Sequence, residues 1–352
     1  MAQGDDTESI DAFLQSLGAS EEQIAAARRE GYMSRLAGDL VLAEGATLSA
    51  TDLASRAGVD VAAVLSLWRL LGVHVPDEHQ PMFSERDAVF TVHLHQMNPV
   101  GPNGDELLRV LGSSLARVAE AAVSLYVQTV QPQIDLPETD MVTWAKDLAA
   151  AVAAALRLGD SMGAIFAHHM RDAIDRQRTA QSGATDRSLY RLAVGFVDLV
   201  GFTPLSLHSS PPELLELITR FEVRAFEVAA AHDGRIVKHI GDEVMFVALD
   251  AAAGCAIARD ITAEYSHGIE PRGGVASGEV ISRHGDYYGT VVNLASRLAE
   301  LAVPKEVLVD GATAASAQGP FEFRPAGDRL LKGFDEPIEV FSLVKETLPA
   351  PA

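Results

Sequence analysis

The spacing of apolar residues divides the chain into a helical first part and a second part in which strands and helices alternate. In the first part, apolar positions recur every three or four residues, which indicates amphipathic helices. One such stripe comprises Leu107, Val110, Leu111, Ser114, Val118, Ala121 and Leu125. In the second part, short apolar runs alternate with helical patterns, which predicts an α+β domain.

Capping and breaking residues locate helix boundaries in the first part. Ser20 and Gln23 form a capping box, in which each side chain satisfies the other's free backbone N–H group. Farther along, two long helical patterns cover 104–130 and 140–176. Pro132 lies between them and is expected to end the first, because proline lacks the N–H group that a helix interior needs.

Residues 48–71 resemble a helix-turn-helix, with two short helices around a glycine turn and a wing-like segment running toward Phe83. A DNA-reading helix normally presents several Arg, Lys, Asn or Gln side chains. The second helix here carries none before Arg69. We therefore interpret the segment as a packing element.

The second part contains an antiparallel hairpin with a Gly-Asp turn, set among alternating strands and helices. This arrangement is typical of a ferredoxin-like α+β sandwich. The expected strands cover 192–197, 272–276, 306–309, 321–323 and 338–343, the hairpin covers 235–247, and the helices cover 212–231, 250–265 and 291–301.

Length and composition indicate two globular domains. A chain of 352 residues suits two domains, and the apolar pattern disappears after residue 176. We therefore expect an all-helical domain over 1–176, a linker over 177–188 and an α+β domain over 189–345. With 48% hydrophobic and 22% charged residues, the composition is that of an ordinary folded protein. A net charge of −21 disfavours a nucleic acid partner.

The sequence predicts a cytoplasmic protein without a membrane span. The longest purely apolar run in the first half, Leu148 to Leu156, has nine residues, against about 20 needed to cross a bilayer. The N-terminus lacks a basic segment followed by an apolar core, so no secretory signal is expected. The single cysteine, Cys255, lies in an alanine-rich helix and is expected to be a buried core residue.

Two acidic residues mark candidate chemistry at the ends of predicted strands. Asp198 ends the first strand, and Asp242 lies in the hairpin turn, four residues after Lys238. In a ferredoxin-like sheet the first strand lies beside the hairpin, so the two carboxylates are expected to come close together. Two adjacent carboxylates can bind two Mg²⁺ ions for phosphoryl chemistry.

Polar residues near two helix starts extend the candidate site. Gly201, Phe202 and Thr203 lead from the first strand toward a helix, whose free N–H groups suit a polyphosphate. Asn293 and Arg297 are four residues apart and therefore share one face of a helix. Both interrupt an otherwise apolar pattern, which favours a functional role for the pair.

Four motifs occur in order: F-V-D-L-V-G-F-T, K-H-I-G-D-E-V-M-F, R-G-G-V-A-S-G and Y-Y-G-T-V-V-N-L-A-S-R. Through them, residues 188–343 resemble the catalytic domain of class III nucleotidyl cyclases. The whole chain is similar to mycobacterial-type cyclases that carry a helical, pH-responsive autoinhibitory domain in front. The resemblance implies an α+β fold, with a C-terminal ferredoxin-like βαββαβ cyclase domain preceded by an all-α regulatory domain.

The resemblance also implies roles for individual residues. Asp198 and Asp242, assisted by the carbonyl of Leu199, would hold two Mg²⁺ or Mn²⁺ ions per active site. Lys238 and Asp286 would read the base. Adenine presents an acceptor at N1 and a donor at N6. A Lys donor and an Asp acceptor therefore complement adenine better than they complement guanine. The expected substrate is therefore ATP.

The remaining residues implied by the resemblance act on the ribose and the phosphates. Asn293 would orient the ribose, and Arg297 would stabilise charge on the reacting phosphoryl group. Arg272 and Lys332 would hold the β- and γ-phosphates. In-line attack of the 3′-hydroxyl on the α-phosphorus would give cyclic AMP and pyrophosphate. Metal-binding and base-reading residues of one site come from opposite subunits in this family, which implies a homodimer with two composite active sites.

Other functions stay open at this point. The I-G-D-E-V turn is superficially similar to that of diguanylate cyclases, although Lys238 and the helix with Asn293 and Arg297 disfavour that assignment. Guanylyl cyclase activity is a second alternative. A catalytically silent nucleotide sensor or a DNA-binding regulator is the non-enzymatic one.

Regulation is expected to reside in the helical part. Histidine is the side chain that titrates nearest neutrality, so clustered histidines are candidate pH sensors. The candidates are His93, His95, His168 and His169. We expect the helical domain to inhibit the catalytic domain, and the activity of the full chain to rise at mildly acidic pH.

Overall fold

The computed structural model describes residues 9–97, 102–134, 140–181, 189–263, 269–317 and 321–344. Its contacts divide the chain into two compact units, Met1–Ala167 and His168–Ala352. The first unit is built from helices, and the second contains a large sheet. The α+β prediction for the chain, with a helical domain in front of a sheet domain, is confirmed.

The described residues of the first unit are mainly helical. The helices are α1 (Ile10–Ser16), α2 (Glu21–Glu30), α3 (Met33–Leu42), α4 (Ala50–Ala57), α5 (Val61–Leu70), α6 (Glu85–Met97), α7 (Pro102–Leu125), α8 (Gln131–Ile134) and the greater part of α9 (Met141–Gln181), with a π-helical turn at Tyr126–Val130 between α7 and α8.

The capping signals read from the sequence operate in the structure. Ser20 accepts a hydrogen bond from the backbone N–H of Gln23, whose side chain accepts one from the backbone N–H of Ser20, and α2 begins there. Helices α4 and α5 form the helix-turn-helix candidate, joined at Gly58 in the left-handed conformation (φ 68°). Trp68 of α5 packs against Phe83 with ring centroids 4.8 Å apart. The segment is therefore part of a hydrophobic core of this unit.

Two helix ends differ from the prediction. Pro132 does not end a helix, because α7 continues through the π-helical turn into α8, where Pro132 occupies the first turn. Proline at this position removes one backbone hydrogen bond, and it directly follows the π-helical turn, where the helical ladder is already irregular. Helix α9 runs to Gln181, so the first five residues of the linker predicted over 177–188 are helical. The rest of that linker lies outside the described residues.

Within the described ranges, two helices are long and apolar enough to cross a membrane by length and composition alone, Gly104–Thr129 and Met141–Gln181. Counting only uninterrupted apolar runs missed them, because single polar residues break each stretch. Several of their large apolar side chains are exposed in the chain, among them Leu107, Leu125 and Phe166.

The second unit is built around an eight-stranded sheet in its described residues. Its elements after α9 are β1 (Leu189–Val200), α10 (Phe202–Ser206), α11 (Pro211–Ala231), β2 (Arg235–Ile240), β3 (Glu243–Ala248), α12 (Ala251–Ala263), β4 (Glu270–Arg283), β5 (Asp286–Tyr288), α13 (Thr290–Leu301), β6 (Val307–Asp310), α14 (Gly311–Ser316), β7 (Glu322–Arg329) and β8 (Ile338–Val344).

The strand order is β2-β3-β1-β4-β6-β8-β7, and β5 pairs with β4. In the first four strands, which lie in the order β2-β3-β1-β4, each strand is antiparallel to its neighbour. With α11 before β2 and α12 before β4, this is the βαββαβ arrangement of a ferredoxin-like fold. The predicted position of the first strand beside the hairpin is therefore confirmed.

Alternating side chains give the sheet two buried faces. Val197, Val244 and Phe246 pack with α11 and α12 on one face. Phe196 and Met245 pack with α13 on the other. Helix α13 crosses β4 at Gly274, where a Cβ atom would collide with the backbone of α13.

Two features of β4 were not predicted from the sequence. The strand runs from Glu270 to Arg283, well beyond the predicted 272–276, and it turns back into the short strand β5. His284 and Gly285 form the turn, both with positive φ. Asp286 therefore lies in a hairpin and not in a plain loop before α13.

Cys255 is fully buried in α12, as predicted. Burial raises the pKa of its thiol to about 12, so the thiol is inert at neutral pH.

Candidate active site

The register of β1 brings the acidic candidates together. Asp198 lies opposite Glu243 on β3 and opposite Arg272 on β4. Asp242 directly precedes Glu243 in the turn between β2 and β3, where Gly241 supplies the positive φ (66°). Cross-strand partners point to the same face of a sheet, and Phe196 and Met245, two residues along, face α13. The acidic cluster therefore lies at the end of β1 on the α13 side.

Arg272 is the counter-ion of this cluster. Its Nε and Nη2 atoms donate hydrogen bonds to Oδ2 of Asp198, at 3.1 and 2.9 Å. Its Nη1 atom donates to the backbone carbonyls of Glu300, at 2.7 Å, and Ala302, at 3.2 Å, at the end of α13. The guanidinium expected to hold phosphate thus joins β1, β4 and α13.

The neighbouring carboxylates repel one another. Burial, together with the nearby charge of Asp198, raises the pKa of Asp242, although its own backbone N–H acts in the opposite direction. Burial first, and then the charges of Asp198, Glu300 and Asp242, raise the pKa of Glu243 to about 7. Arg272 offsets only part of this negative potential. The cluster therefore favours an additional cation.

The donor set suits a hard divalent cation. Carboxylate and carbonyl oxygens are the ligands that Mg²⁺ and Mn²⁺ prefer, and Asp198, Asp242 and the carbonyl of Leu199 offer them at one strand end. Among the described residues no cluster of three or more His, Cys, Asp or Glu side chains could hold a metal. Protein sites for Mg²⁺ often supply one or two carboxylates, while substrate phosphates and water complete the coordination. The residues present fit that pattern.

The two base-reading candidates are in direct contact. Lys238 on β2 donates from Nζ to Oδ2 of Asp286 on β5, and both side chains are partly buried. Asp286 also accepts a hydrogen bond at 2.8 Å from the backbone N–H of Tyr287. The β2–β3 ladder has a bulge between Ile236 and Lys238. Such a bulge re-aims the side chains that follow it.

Helix α13 carries the next pair of candidates. Asn293 is exposed, and Arg297, one turn later, is partly exposed. The guanidinium of Arg297 forms an ion pair with Glu300 of the same helix. The backbone carbonyl of Glu300 also accepts a hydrogen bond from Arg272. Glu300, at the end of α13, therefore contacts both arginines that are assigned to phosphate chemistry.

The remaining phosphate-binding candidates lie on loops and at a helix start. Gly201 has φ 85° and opens the short helix α10, with Phe202 half-buried and Thr203 exposed. They follow directly on the acidic end of β1. Lys332 is exposed in the turn after β7. Its neighbour Leu331 is buried in the same core cluster as residues of α13.

Sequence reasoning missed three residues that shape the site. Glu243 follows Asp242 directly, and the sequence pattern predicts only a strand residue there. Glu300 is three residues after Arg297, a helical spacing that favours an ion pair. Arg235 is three residues before Lys238 and binds the β4–β5 turn. The helical spacing could have revealed Glu300, but the other two depend on long-range pairing.

The fold and these motifs define a nucleotidyl cyclase catalytic domain. The family of the adenylate and guanylate cyclase catalytic domain matches residues 187–345. The adenylate cyclase regulatory domain matches residues 1–174. The chain therefore belongs to the class III nucleotidyl cyclase family, and it carries that regulatory domain in front of its catalytic domain. Class III cyclase domains generally use divalent metal ions.

Relatives that match most of the chain support this assignment. An uncharacterised protein of Mycobacterium tuberculosis is 33% identical over 344 residues, covering 94% of this chain and 88% of that protein. An adenylate cyclase of Glutamicibacter nicotianae is 31% identical, covering 77% of this chain and 72% of that protein. A pH-sensitive adenylate cyclase of Mycobacterium tuberculosis is 28% identical, covering 86% and 79%.

Among solved structures, the adenylyl cyclase CyaB from P. aeruginosa matches with a TM-score of 0.42 and 24% identity, over 45% of this chain and 95% of that chain. The guanylate cyclase domain of RhGC from Catenaria anguillulae, in complex with GTP, matches with a TM-score of 0.41 and 20% identity, over 44% and 96%.

Proposed function

We propose that this chain is an adenylyl cyclase, which converts ATP to 3′,5′-cyclic AMP and pyrophosphate. The observation that carries the proposal is the direct contact between the Lys238 ammonium and the Asp286 carboxylate. One group donates and the other accepts, which complements N1 and N6 of adenine. Guanine, with an acceptor at O6 and donors at N1 and N2, would be better served by an acidic residue in place of Lys238.

Asp198, Asp242 and the carbonyl of Leu199 are the proposed ligands for two Mg²⁺ or Mn²⁺ ions per site. When bound, such ions neutralise the triphosphate and make the 3′-hydroxyl a better nucleophile. The register that brings Asp198 and Asp242 to the same end of the sheet supports this assignment. The pKa of Asp242 is raised by burial first and then by the charge of Asp198, so the two carboxylates interact.

The arginines are proposed to act on the phosphates. Arg297 exchanges Glu300 for oxygens of the reacting phosphoryl group, and Asn293, one turn earlier, holds the ribose. Arg272 and Lys332 bind the β- and γ-phosphates, with the loop of Gly201, Phe202 and Thr203 beside them. A guanidinium that already donates to a carboxylate can donate in the same way to a phosphate, because two oxygens of either anion match the spacing of its parallel N–H groups.

A symmetric homodimer with two composite sites is part of the proposal. In the single chain, Leu215, Val223 and Phe226 of α11 and Ile240 at the end of β2 are large apolar side chains left exposed. The rings of Phe226 and His239 lie 5.6 Å apart, so α11 and the β2–β3 hairpin share one surface. An apolar surface beside the catalytic hairpin suits an interface with a second copy.

Control by the N-terminal helices is the remaining part of the proposal. The adenylate cyclase regulatory domain precedes the catalytic domain, and one relative of similar length is named a pH-sensitive adenylate cyclase. We propose that the helical domain restrains the catalytic domains and that protonation of histidines such as His93, His95, His168 or His169 relieves the restraint.

Cyclic AMP formation from ATP and Mn²⁺ by the purified full-length protein tests the assignment of the site. Asp198→Ala and Asp242→Ala are each expected to lower the rate by about 10³-fold, since either removes a metal ligand. Asp328→Ala is the matched control, because it removes an exposed carboxylate on β7. A full rate for either metal-site variant would refute the metal assignment.

A further inference from the structure

The hairpin that carries Asp286 is attached to the sheet on one side only. In the described sheet, β5 pairs with β4, and β2 pairs with β3. No backbone ladder therefore joins β5 to β2, although the proposed base site needs Asp286 on one of these strands beside Lys238 on the other. Side chains must fix the distance between the two strands.

Two basic side chains of β2 make that connection. Lys238 contacts Asp286 itself. Three residues earlier, Arg235 donates from Nη2 to the backbone carbonyl of Gly285 at 3.0 Å. The Arg235 guanidinium also lies over the ring of Tyr287, 5.6 Å from its centroid. Arg235 thus contacts the residues before and after Asp286, and these contacts do not involve the Asp286 carboxylate.

The two connections differ in what a bound base does to them. On the function proposed above, Lys238 and Asp286 each form a hydrogen bond with the base. Their contact with each other is then weakened, so it cannot fix the distance between β2 and β5 while the base is bound. The hydrogen bond from Arg235 ends on a backbone carbonyl, and its ring contact ends on Tyr287. Neither involves a group that reads the base, so both persist in the complex.

We propose that Arg235 is a positioning residue. It holds the β4–β5 turn, so that Asp286 still faces adenine when the contact between Lys238 and Asp286 is broken. Arg suits this task because its fork keeps one N–H on a carbonyl while the guanidinium plane covers an aromatic ring. The proposal rests on the adenylyl cyclase function stated above and adds a specificity-determining residue to it.

Steady-state kinetics of Arg235→Ala with ATP and with GTP test the proposal. We expect KM for ATP to rise about tenfold and the preference for ATP over GTP in kcat/KM to fall about tenfold, which is the loss of one charge-assisted hydrogen bond. The turnover number with ATP should change much less. Arg235→Lys, which keeps a donor and the charge, should recover most of the preference.

Amide hydrogen exchange of the β4–β5 turn provides a readout that does not depend on activity. In Arg235→Ala, residues 283–288 should exchange about tenfold faster than in the unaltered chain. Arg324→Ala, an exposed arginine on β7 at the other edge of the sheet, should leave both exchange and kinetics unchanged. Should Arg235→Ala fail to fold, Arg235→Lys and Tyr287→Leu take its place, with a smaller increase in exchange expected for the second.

The outcomes separate the inference from the function on which it rests. If the unaltered protein makes no cyclic AMP, the proposed function fails, and the exchange experiment still decides whether Arg235 holds the turn. Equal losses of kcat for ATP and GTP, with preference and exchange unchanged, would overturn the inference. An Arg235→Lys variant as impaired as the alanine variant would overturn it as well.

Discussion

Arg272 and Asp198 lie directly opposite each other on β4 and β1, and two nitrogens of the Arg272 guanidinium donate to the same carboxylate oxygen of Asp198. The same side chain donates to two carbonyls at the end of α13. Arg272 therefore neutralises the carboxylate that we assign to metal binding. A divalent cation at Asp198 has to compete with it.

The first prediction concerns Arg272→Ala. This variant leaves the acidic cluster without its counter-ion, so the free energy of unfolding of the metal-free protein should fall by about 2 kcal/mol. Mn²⁺ should then stabilise the variant more than it stabilises the unaltered protein, because no guanidinium competes for Asp198. Thermal unfolding with and without Mn²⁺ measures both effects.

Lys305→Ala is the control for Arg272→Ala, since it breaks an exposed pair with Glu270 near the start of β4. Its effect on stability should stay below about 1 kcal/mol. An Arg272→Ala protein with the stability and the Mn²⁺ response of the unaltered chain would show that the ion pair does not compete with metal.

The second prediction tests composite sites by mixing inactive variants. Asp198→Ala and Arg297→Ala should each be inactive alone. If each site takes these two residues from opposite subunits, half of the dimers in an equal mixture are heterodimers, and each heterodimer has one intact site out of two. About a quarter of the normal activity should therefore return.

A mixture of Asp198→Ala with Asp242→Ala is the matched control for this experiment. Both changes affect the metal-binding half, so every site in every dimer stays defective. Activity that returns equally in both mixtures, or in neither, would contradict composite sites.

The third prediction concerns regulation. Removal of residues 1–176 should raise cyclase activity at pH 7.5, and the full chain should approach the activity of the truncated one as the pH falls toward about 6, because protonated histidines weaken the restraint. The measurement is the ratio of the two activities across pH. If this ratio is constant between about pH 5.5 and 8, titrating histidines do not regulate the enzyme.

The fourth prediction follows from Asp260 on α12. Burial raises the pKa of its carboxyl, but hydrogen bonds from Arg259 and His232, at 2.7 and 2.8 Å, outweigh burial and leave the pKa below its usual value. A carboxyl with a lowered folded-state pKa stabilises the fold above its unfolded-state pKa, about 3.9. That contribution disappears as the pH falls through the lowered value.

Asp260→Asn should therefore lower the free energy of unfolding by about 1 to 2 kcal/mol at pH 7. The difference from the unaltered protein should shrink in acid, once Asp260 itself is protonated. Urea unfolding at neutral and acidic pH measures this difference. Equal destabilisation at every pH would mean that the charge of Asp260 contributes nothing.

The sequence predicted the parts of the fold and site that depend on local pattern and strand order. The period of apolar residues revealed the helical unit and the βαββαβ order, and that order placed Asp198 beside Asp242. It did not reveal that β4 continues to Arg283 and turns back into β5, because no apolar alternation marks that extension.

Long-range contacts account for most of what the sequence did not show. Arg272 was assigned to phosphate from its motif, yet it binds Asp198, 74 residues away in the chain. The raised pKa of Glu243 depends on its burial and then on the charges of Asp198 and Glu300, which no local pattern connects to it. Such effects arise from register and burial, which are properties of the assembled sheet.

The most direct test of the account is the identity of the product that the full-length protein forms from an equimolar mixture of ATP and GTP with Mn²⁺. The account predicts cyclic AMP as the dominant product in the unaltered protein, and loss of this preference when Lys238 is replaced by glutamate, which presents an acceptor where adenine needs a donor. Mass spectrometry of the products measures both. Predominant cyclic GMP or a cyclic dinucleotide from the unaltered protein would contradict the central claim.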